Sequence, residues 1–193
     1  LRALKAGTTT DKVFELVRKL RETITIPMVF MTYANVVFSY GSEKFLSRAA
    51  EAGIQGLILP DVPFEEKAEF EPLCAKYGLE LVSMIAPTSH ERIRSIAAEA
   101  KGFVYCVSSL GVTGVRSSIT TDIGAMVKLV KETKAIPAAV GFGISTPEQA
   151  REMAQKADGV IVGSAIVKLI AANGRDSVEP VTEYVKVMKD AIR

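Results

Sequence analysis

Two pairs of small residues stand where a chain can grip an anion. Gly141-Phe142-Gly143 follows the short apolar run from Pro137 to Val140, and Gly163-Ser164 follows the apolar run from Gly159 to Val162. Glycine turns at the same ends of neighbouring parallel strands aim backbone N–H groups at one point, and a helix N-terminus beside them adds partial positive charge. Ser145-Thr146-Pro147-Glu148 has the composition of such a helix start, with a hydroxyl cap, an early proline and an acid in the first turn. Either glycine turn alone reads better as a tight strand-to-helix connection; the pair, on successive units, reverses that and points to a phosphate. Asp61, in Pro60-Asp61-Val62-Pro63, is the acid at another strand mouth, and it reads either as a functional carboxylate or as a helix cap and loop hydrogen bonder. Glu65 and Glu66 open a helix and complement its dipole. Tyr105 carries a phenol within an apolar run, and a buried phenol needs a polar partner. With His90 the only histidine and no Cys/His cluster, no metal site is expected.

The elements that position these groups alternate. Apolar runs centred near 28, 57, 81, 104, 138 and 160 read as strands: Pro27 to Met31, Gly56 to Leu59, Leu79 to Ile85, Gly102 to Val107, Pro137 to Val140 and Gly159 to Val162. They are apolar throughout rather than alternating, as parallel strands buried on both faces are. Between them, helical periodicity runs from Thr10 to about Glu22, from Gly41 to Gly53, from Phe64 to Tyr77, from His90 to Ala100 and from Asp122 to Thr133, and a last helix runs from Val178 to Ala191. Tyr33-Ala34-Asn35 reads as a turn, and Ser108 to Thr121 as a long polar loop.

Strict strand–helix alternation leaves a barrel or a doubly wound sheet. No G-x-G-x-x-G follows the first strand, which argues against the dinucleotide-binding fold. Glycine turns after the last two strands match the phosphate site that (βα)8 barrels build after strands seven and eight. Counting back from there makes the visible strands three to eight, so the expected fold is an α/β, (βα)8 TIM barrel, incomplete, as one domain over residues 1–193.

Composition narrows the partners. The 193 residues carry a net charge of +2 with no basic run, which suits neither nucleic acid nor an acidic membrane surface. No apolar run approaches the roughly 20 residues of a membrane span. Cys74 and Cys106 form no disulfide framework and read as buried, reduced thiols of a cytoplasmic protein.

Five strand-end stretches together resemble the tryptophan synthase alpha chain family: Met31-Thr32-Tyr33-Ala34-Asn35, Pro60 to Glu66, Ser109-Leu110-Gly111-Val112-Thr113-Gly114, Gly141 to Ser145 and Gly163 to Val167. The resemblance implies a lyase that splits indole-3-glycerol phosphate into indole and glyceraldehyde-3-phosphate. It implies no cofactor of its own, pyridoxal phosphate belonging to a partner beta subunit in an alpha2-beta2 tetramer. It places the substrate phosphate on Gly114, Gly143, Gly163 and Ser164, and the indole pocket at Tyr33, Met84, Tyr105, Phe142 and Ile161. For Met84 and Ile161, core packing is an equal reading. Supporting roles fall to Asp61, which orders loops, to Tyr105, and to Thr113 on a closing lid; Asn35 and Pro63 match loops that meet the beta subunit. Ser109 departs from the arginine many relatives carry there.

A retro-aldol split needs an acid for the indole ring carbon and a base for the glycerol hydroxyl. By resemblance that carboxylate pair belongs to strand two and its following loop, and neither member is present here. The chain opens at Leu1 without methionine, in Leu1 to Gly7, which reads as a helix end capped by glycine. The expectation is therefore a piece lacking strands one and two, with open strand edges, inactive alone and prone to self-association. The alternatives are another phosphate-binding barrel, such as a sugar-phosphate isomerase or epimerase, and a degenerate, non-catalytic paralogue.

Overall fold

A computed structural model describes residues 2–107, 122–141 and 143–193. These residues pack as two compact units that divide between Val82 and Ser83.

The first unit contains a short helix α1 (Arg2–Lys5), α2 (Thr10–Arg21), β1 (Val29–Met31), α3 (Ala34–Tyr40), α4 (Ser42–Glu51), β2 (Gly56–Ile58), a 3-10 segment (Phe64–Glu69), α5 (Glu71–Lys76) and β3 (Glu80–Leu81). Its three strands are parallel in the order β1-β2-β3, with Phe30 opposite Leu57 and Leu57 opposite Leu81. Helix α2 starts because Thr9 caps it, its hydroxyl accepting the Lys12 N–H at 3.3 Å. It turns Phe14 and Val17 inward to meet Phe45, Leu46 and Ala49 of α4. Phe14 makes edge contacts with Phe30 and Phe45 at 5.7 and 5.3 Å between centroids, the geometry aromatic quadrupoles favour. At the entry to the sheet, Arg21 donates to Gly53 O, Ile26 O and Gln55 Oε1, and Gln55 Oε1 also takes the Met28 N–H at 2.8 Å.

Two elements differ from the sequence reading. Residues 34–40 form a helix rather than a turn: Ala34 and Val37, one helical step apart, are buried, and Gly41 at φ +90° ends it. The helix expected from Phe64 to Tyr77 is broken at Phe70. Pro72 explains the break, since it has no N–H to continue a helix and its ring would strike the carbonyl four residues back; at N2 of the restarted α5 it is tolerated.

The second unit contains β4 (Ser83–Ile85), α6 (His90–Glu99), β5 (Val104–Val107), α7 (Ile123–Thr133), β6 (Ala138–Gly141), α8 (Pro147–Ala154), β7 (Gly159–Val160), α9 (Ser164–Asn173) and α10 (Val178–Ala191). Its sheet is parallel throughout in the order β4-β5-β6-β7. Val104, Cys106, Ala138 and Val140 are wholly buried, as are Ala97 and Val130 from α6 and α7. The run expected as one strand from Leu79 to Ile85 is thus shared between β3 and β4, with the Val82 N–H still pairing to Leu57 O at 2.9 Å. Among the described residues β1 pairs only with β2, and β7 only with β6. No helix among them is long and apolar enough to cross a membrane.

Candidate functional site

The register of the second sheet lays Met84, Tyr105, Ala139 and Gly159 in one row across four strands. Side chains alternate along a strand, so this row shares a face with Gly141 and Ile161, two residues further on. On the opposite face Val104, Cys106, Ala138 and Val140 are fully buried, with Ser83 and Val160 half-buried on the outer strands. The row itself is half-buried at Met84, Ala139 and Gly159, and Ile161 is half-buried too. Three residues expected at an indole pocket (Met84, Tyr105 and Ile161) therefore share one face of this sheet. Ile161 extends the pairing beyond β7, its N–H reaching Val140 O at 2.7 Å.

Tyr105 is buried, and burial pushes its phenol above the ordinary value. Its ring lies over Gly141: a Cβ built there would sit 2.4 Å from both Tyr105 Cε2 and Oη. Gly141 is therefore not a turn glycine. It ends β6, and its missing side chain is the space the phenol occupies.

Gly143 is the turn. Its φ of +88° is costly for any residue with a Cβ. Beyond it, the start of α8 consumes its own donors. Thr146 and Gln149 form a reciprocal capping box, and Gln149 Oε1 accepts the Ser145 N–H at 2.8 Å, the Ser145 hydroxyl at 3.2 Å and the Thr146 N–H at 3.2 Å. Pro147 has no N–H, and a hydrogen bond to its own backbone N–H, followed by one to the Thr146 side chain, holds Glu148 below the usual carboxylate range. The helix start expected to help hold an anion is thus internally satisfied. Helix α9 is the contrast. Gly163 precedes it at φ −123°, no side chain caps it, and its first turn holds no acid. The first helical bond runs from the Val167 N–H to Gly163 O at 3.0 Å. Gly163 is exposed, and an added Cβ there would meet nothing within 4 Å, so open space lies beside Gly163.

In the first unit, Asp61 uses both carboxylate oxygens on the Ala34 N–H, at 3.0 and 3.1 Å, and so caps α3 from the loop after β2. That is the loop-ordering arrangement among its two readings. Tyr33, 64% exposed, stands at the N-cap of α3 without capping it, and Asn35 is exposed in the first turn. Pro63 is exposed and opens the 3-10 segment, accepting the Glu66 N–H at 3.0 Å. Thr113, Gly114 and Phe142, with Ser109, lie outside the described residues. Cys74 and Cys106 are both buried, and burial is the main cause pushing their thiols up to about 11 and about 12. Sequence reasoning missed the bond from the Tyr184 hydroxyl to Ser145 O, at 2.9 Å, since nothing in the helical pattern of residues 178–191 singles out that tyrosine.

Parallel strands joined through helices everywhere but between β3 and β4, with glycine-marked connections after the last two, define an α/β protein of the kind that holds small ligands beyond the carboxyl ends of its strands. The chain belongs to the tryptophan synthase alpha chain family, a family of tryptophan biosynthesis, whose family model matches residues 1–193. It is 44% identical over 194 residues to the tryptophan synthase alpha chain of Lacticaseibacillus casei, covering 99% of this chain and 73% of that protein. The corresponding protein of Lactiplantibacillus plantarum is 47% identical over 193 residues, covering 100% and 73%. Among solved structures, one from Aquifex aeolicus superposes with a TM-score of 0.86 at 40% identity, covering 99% of this chain and 72% of that one. A structure of the Pyrococcus furiosus tryptophan synthase a2b2 complex gives 0.87 at 34% identity, covering 98% and 77%.

Proposed function

We propose that this chain carries the alpha reaction of tryptophan synthase, the lyase cleavage of indole-3-glycerol phosphate to indole and glyceraldehyde-3-phosphate. Its strands belong in a single (βα)8 barrel domain, and it works in the cytoplasm beside a beta subunit that holds the pyridoxal phosphate. The observation that carries this reading is the family match across all 193 residues. The P. furiosus neighbour, solved as an a2b2 complex, supports the partner.

In this reading the substrate phosphate sits at the start of α9, on the backbone N–H groups of Gly163 and Ser164, with Gly143 and Gly114 completing the cradle. The absence of a cap and of acids in that first turn favours an anion there. The indole ring lies over the face that carries Met84, Tyr105 and Ile161. Asn35 and Pro63 meet the beta subunit. Asp61 is committed to α3 and orders a loop, so it neither gives nor takes a proton. Thr113 serves lid closure. The two proton-transfer carboxylates are assigned to no residue of these 193.

Binding tests this without requiring turnover. The chain is expected to bind indole-3-propanol phosphate in calorimetry, and indole-3-propanol much more weakly. Gly163→Ala puts a methyl into the proposed phosphate space while meeting no protein atom. It is expected to keep the wild-type urea midpoint and to lose at least about tenfold in affinity, or ~1.4 kcal/mol. Equal affinity for the two ligands, or an unaffected Gly163→Ala, refutes the phosphate site.

A further inference from the structure

We propose that Tyr184, on the C-terminal helix, is a positioning residue for the phosphate-binding turn at Gly143; the proposal rests on the phosphate reading above. Gly143 joins the end of β6 to the start of α8 through a backbone that glycine leaves free to adopt many conformations. Such a turn presents its N–H groups in one direction only if the chain on both sides is held. On one side it is held by β6, whose Val107–Gly141 pairing runs to the last strand residue. On the other side the Ser145–Thr146 peptide group is held at both polar ends. Its N–H goes to Gln149 Oε1 at 3.2 Å, and its carbonyl accepts the Tyr184 hydroxyl at 2.9 Å. Between the two fixed points, Ile144 is buried.

The two holds differ in kind. Gln149 belongs to α8 itself and moves with it. Tyr184 comes from α10, 39 residues downstream of Ser145, and α10 packs against both α8 and α9. It thus touches the helices following both glycine turns, and through Tyr184 it makes a polar contact with the chain that enters the first. The tyrosine is half-buried, and burial pushes its phenol up, so the hydroxyl stays a donor through the physiological range. Removing that donor leaves the Ser145 carbonyl free to rotate, and the Gly143 N–H then samples directions that miss the phosphate.

The test is calorimetry with sn-glycerol 3-phosphate and, separately, with indole, on the wild-type chain, Tyr184→Phe and Met188→Val. Tyr184→Phe keeps the ring and removes only the hydrogen bond. It is expected to weaken glycerol phosphate binding about three- to tenfold, with indole binding unchanged. Met188→Val disturbs buried packing one turn further along α10 without touching Ser145. It is expected to lower the urea midpoint and keep the wild-type phosphate affinity. Unaltered glycerol phosphate binding by Tyr184→Phe, or an equal loss in Met188→Val, overturns the inference and leaves the phosphate site standing. Failure of the wild-type chain to bind glycerol phosphate overturns the site itself, and the inference with it.

Discussion

Replacing Gly141 with alanine tests the interlock between Tyr105 and the end of β6. The added Cβ would lie 2.4 Å from Tyr105 Cε2 and Oη and 2.6 Å from Cζ. Carbon atoms ordinarily meet at about 3.5 Å or more, so the overlap with Cε2 is about 1 Å. The phenol is only 4% exposed and Val140, beside Gly141 in the chain, is wholly buried, so the ring cannot simply swing into solvent. Overpacking of this size costs about 1–3 kcal/mol, which lowers the melting temperature of a chain this long by roughly 2–12 °C. Tyr105→Phe removes the Oη contact but leaves those of Cε2 and Cζ, so Gly141→Ala should keep most of its cost in that background. Tyr105→Leu removes the ring. There the alanine meets a void, and because glycine within a strand is itself unfavourable by roughly 0.5–1 kcal/mol, the substitution should turn neutral or stabilising. Urea unfolding of the wild type, the single variants and the two double variants gives the complete cycle. A Gly141→Ala penalty that is the same with tyrosine, phenylalanine and leucine at 105 refutes the interlock, as does no penalty at all.

Two further outcomes follow from contacts already described. Arg21→Met removes the guanidinium that bonds Gly53 O at 2.9 Å, Ile26 O at 2.7 Å and Gln55 Oε1 at 2.5 Å, and is expected to cost about 1.5–3 kcal/mol in urea unfolding; a midpoint within error of wild type refutes the clamp. The buried thiols predict an alkaline limb. An unfolded thiol titrates near ~8.5, whereas Cys106 folded is pushed up to about 12. The folded chain therefore binds the extra proton, and that stability is complete below the unfolded value and lost as pH rises through the window up to the folded one. Stability of Cys106→Ala should decline less steeply than that of wild type between about pH 8.5 and 10; parallel curves contradict the burial effect.

The strand order was legible because each run between glycine or proline punctuation is apolar on both faces, and β2 and β5 are buried at every position. What periodicity could not give was helix α3. Its Val36, Val37, Phe38 and Tyr40 have strand-like composition, and the helix exists because Asp61 caps Ala34 from another loop while Ala34 and Val37 are buried. Local sequence holds no record of a cap supplied 27 residues away. Likewise Pro72 was present in the sequence, yet the helical pattern around it outweighed the one residue that forbids continuity.

The glycines carry the same lesson into the candidate site. Gly141, Gly143 and Gly163 look alike in sequence, and each is small for a different reason. Gly143 needs its φ of +88°, Gly141 needs the space that Tyr105 occupies, and Gly163 needs neither in the isolated chain, since an added Cβ there meets nothing. A glycine required by conformation or by packing explains itself from the fold alone. One that the fold does not require is explained by what binds beside it. Alanine at the three positions should therefore separate in kind: at 143 and 141 it costs stability, and at 163 it costs affinity for the phosphate ester while leaving the unfolding midpoint where it was.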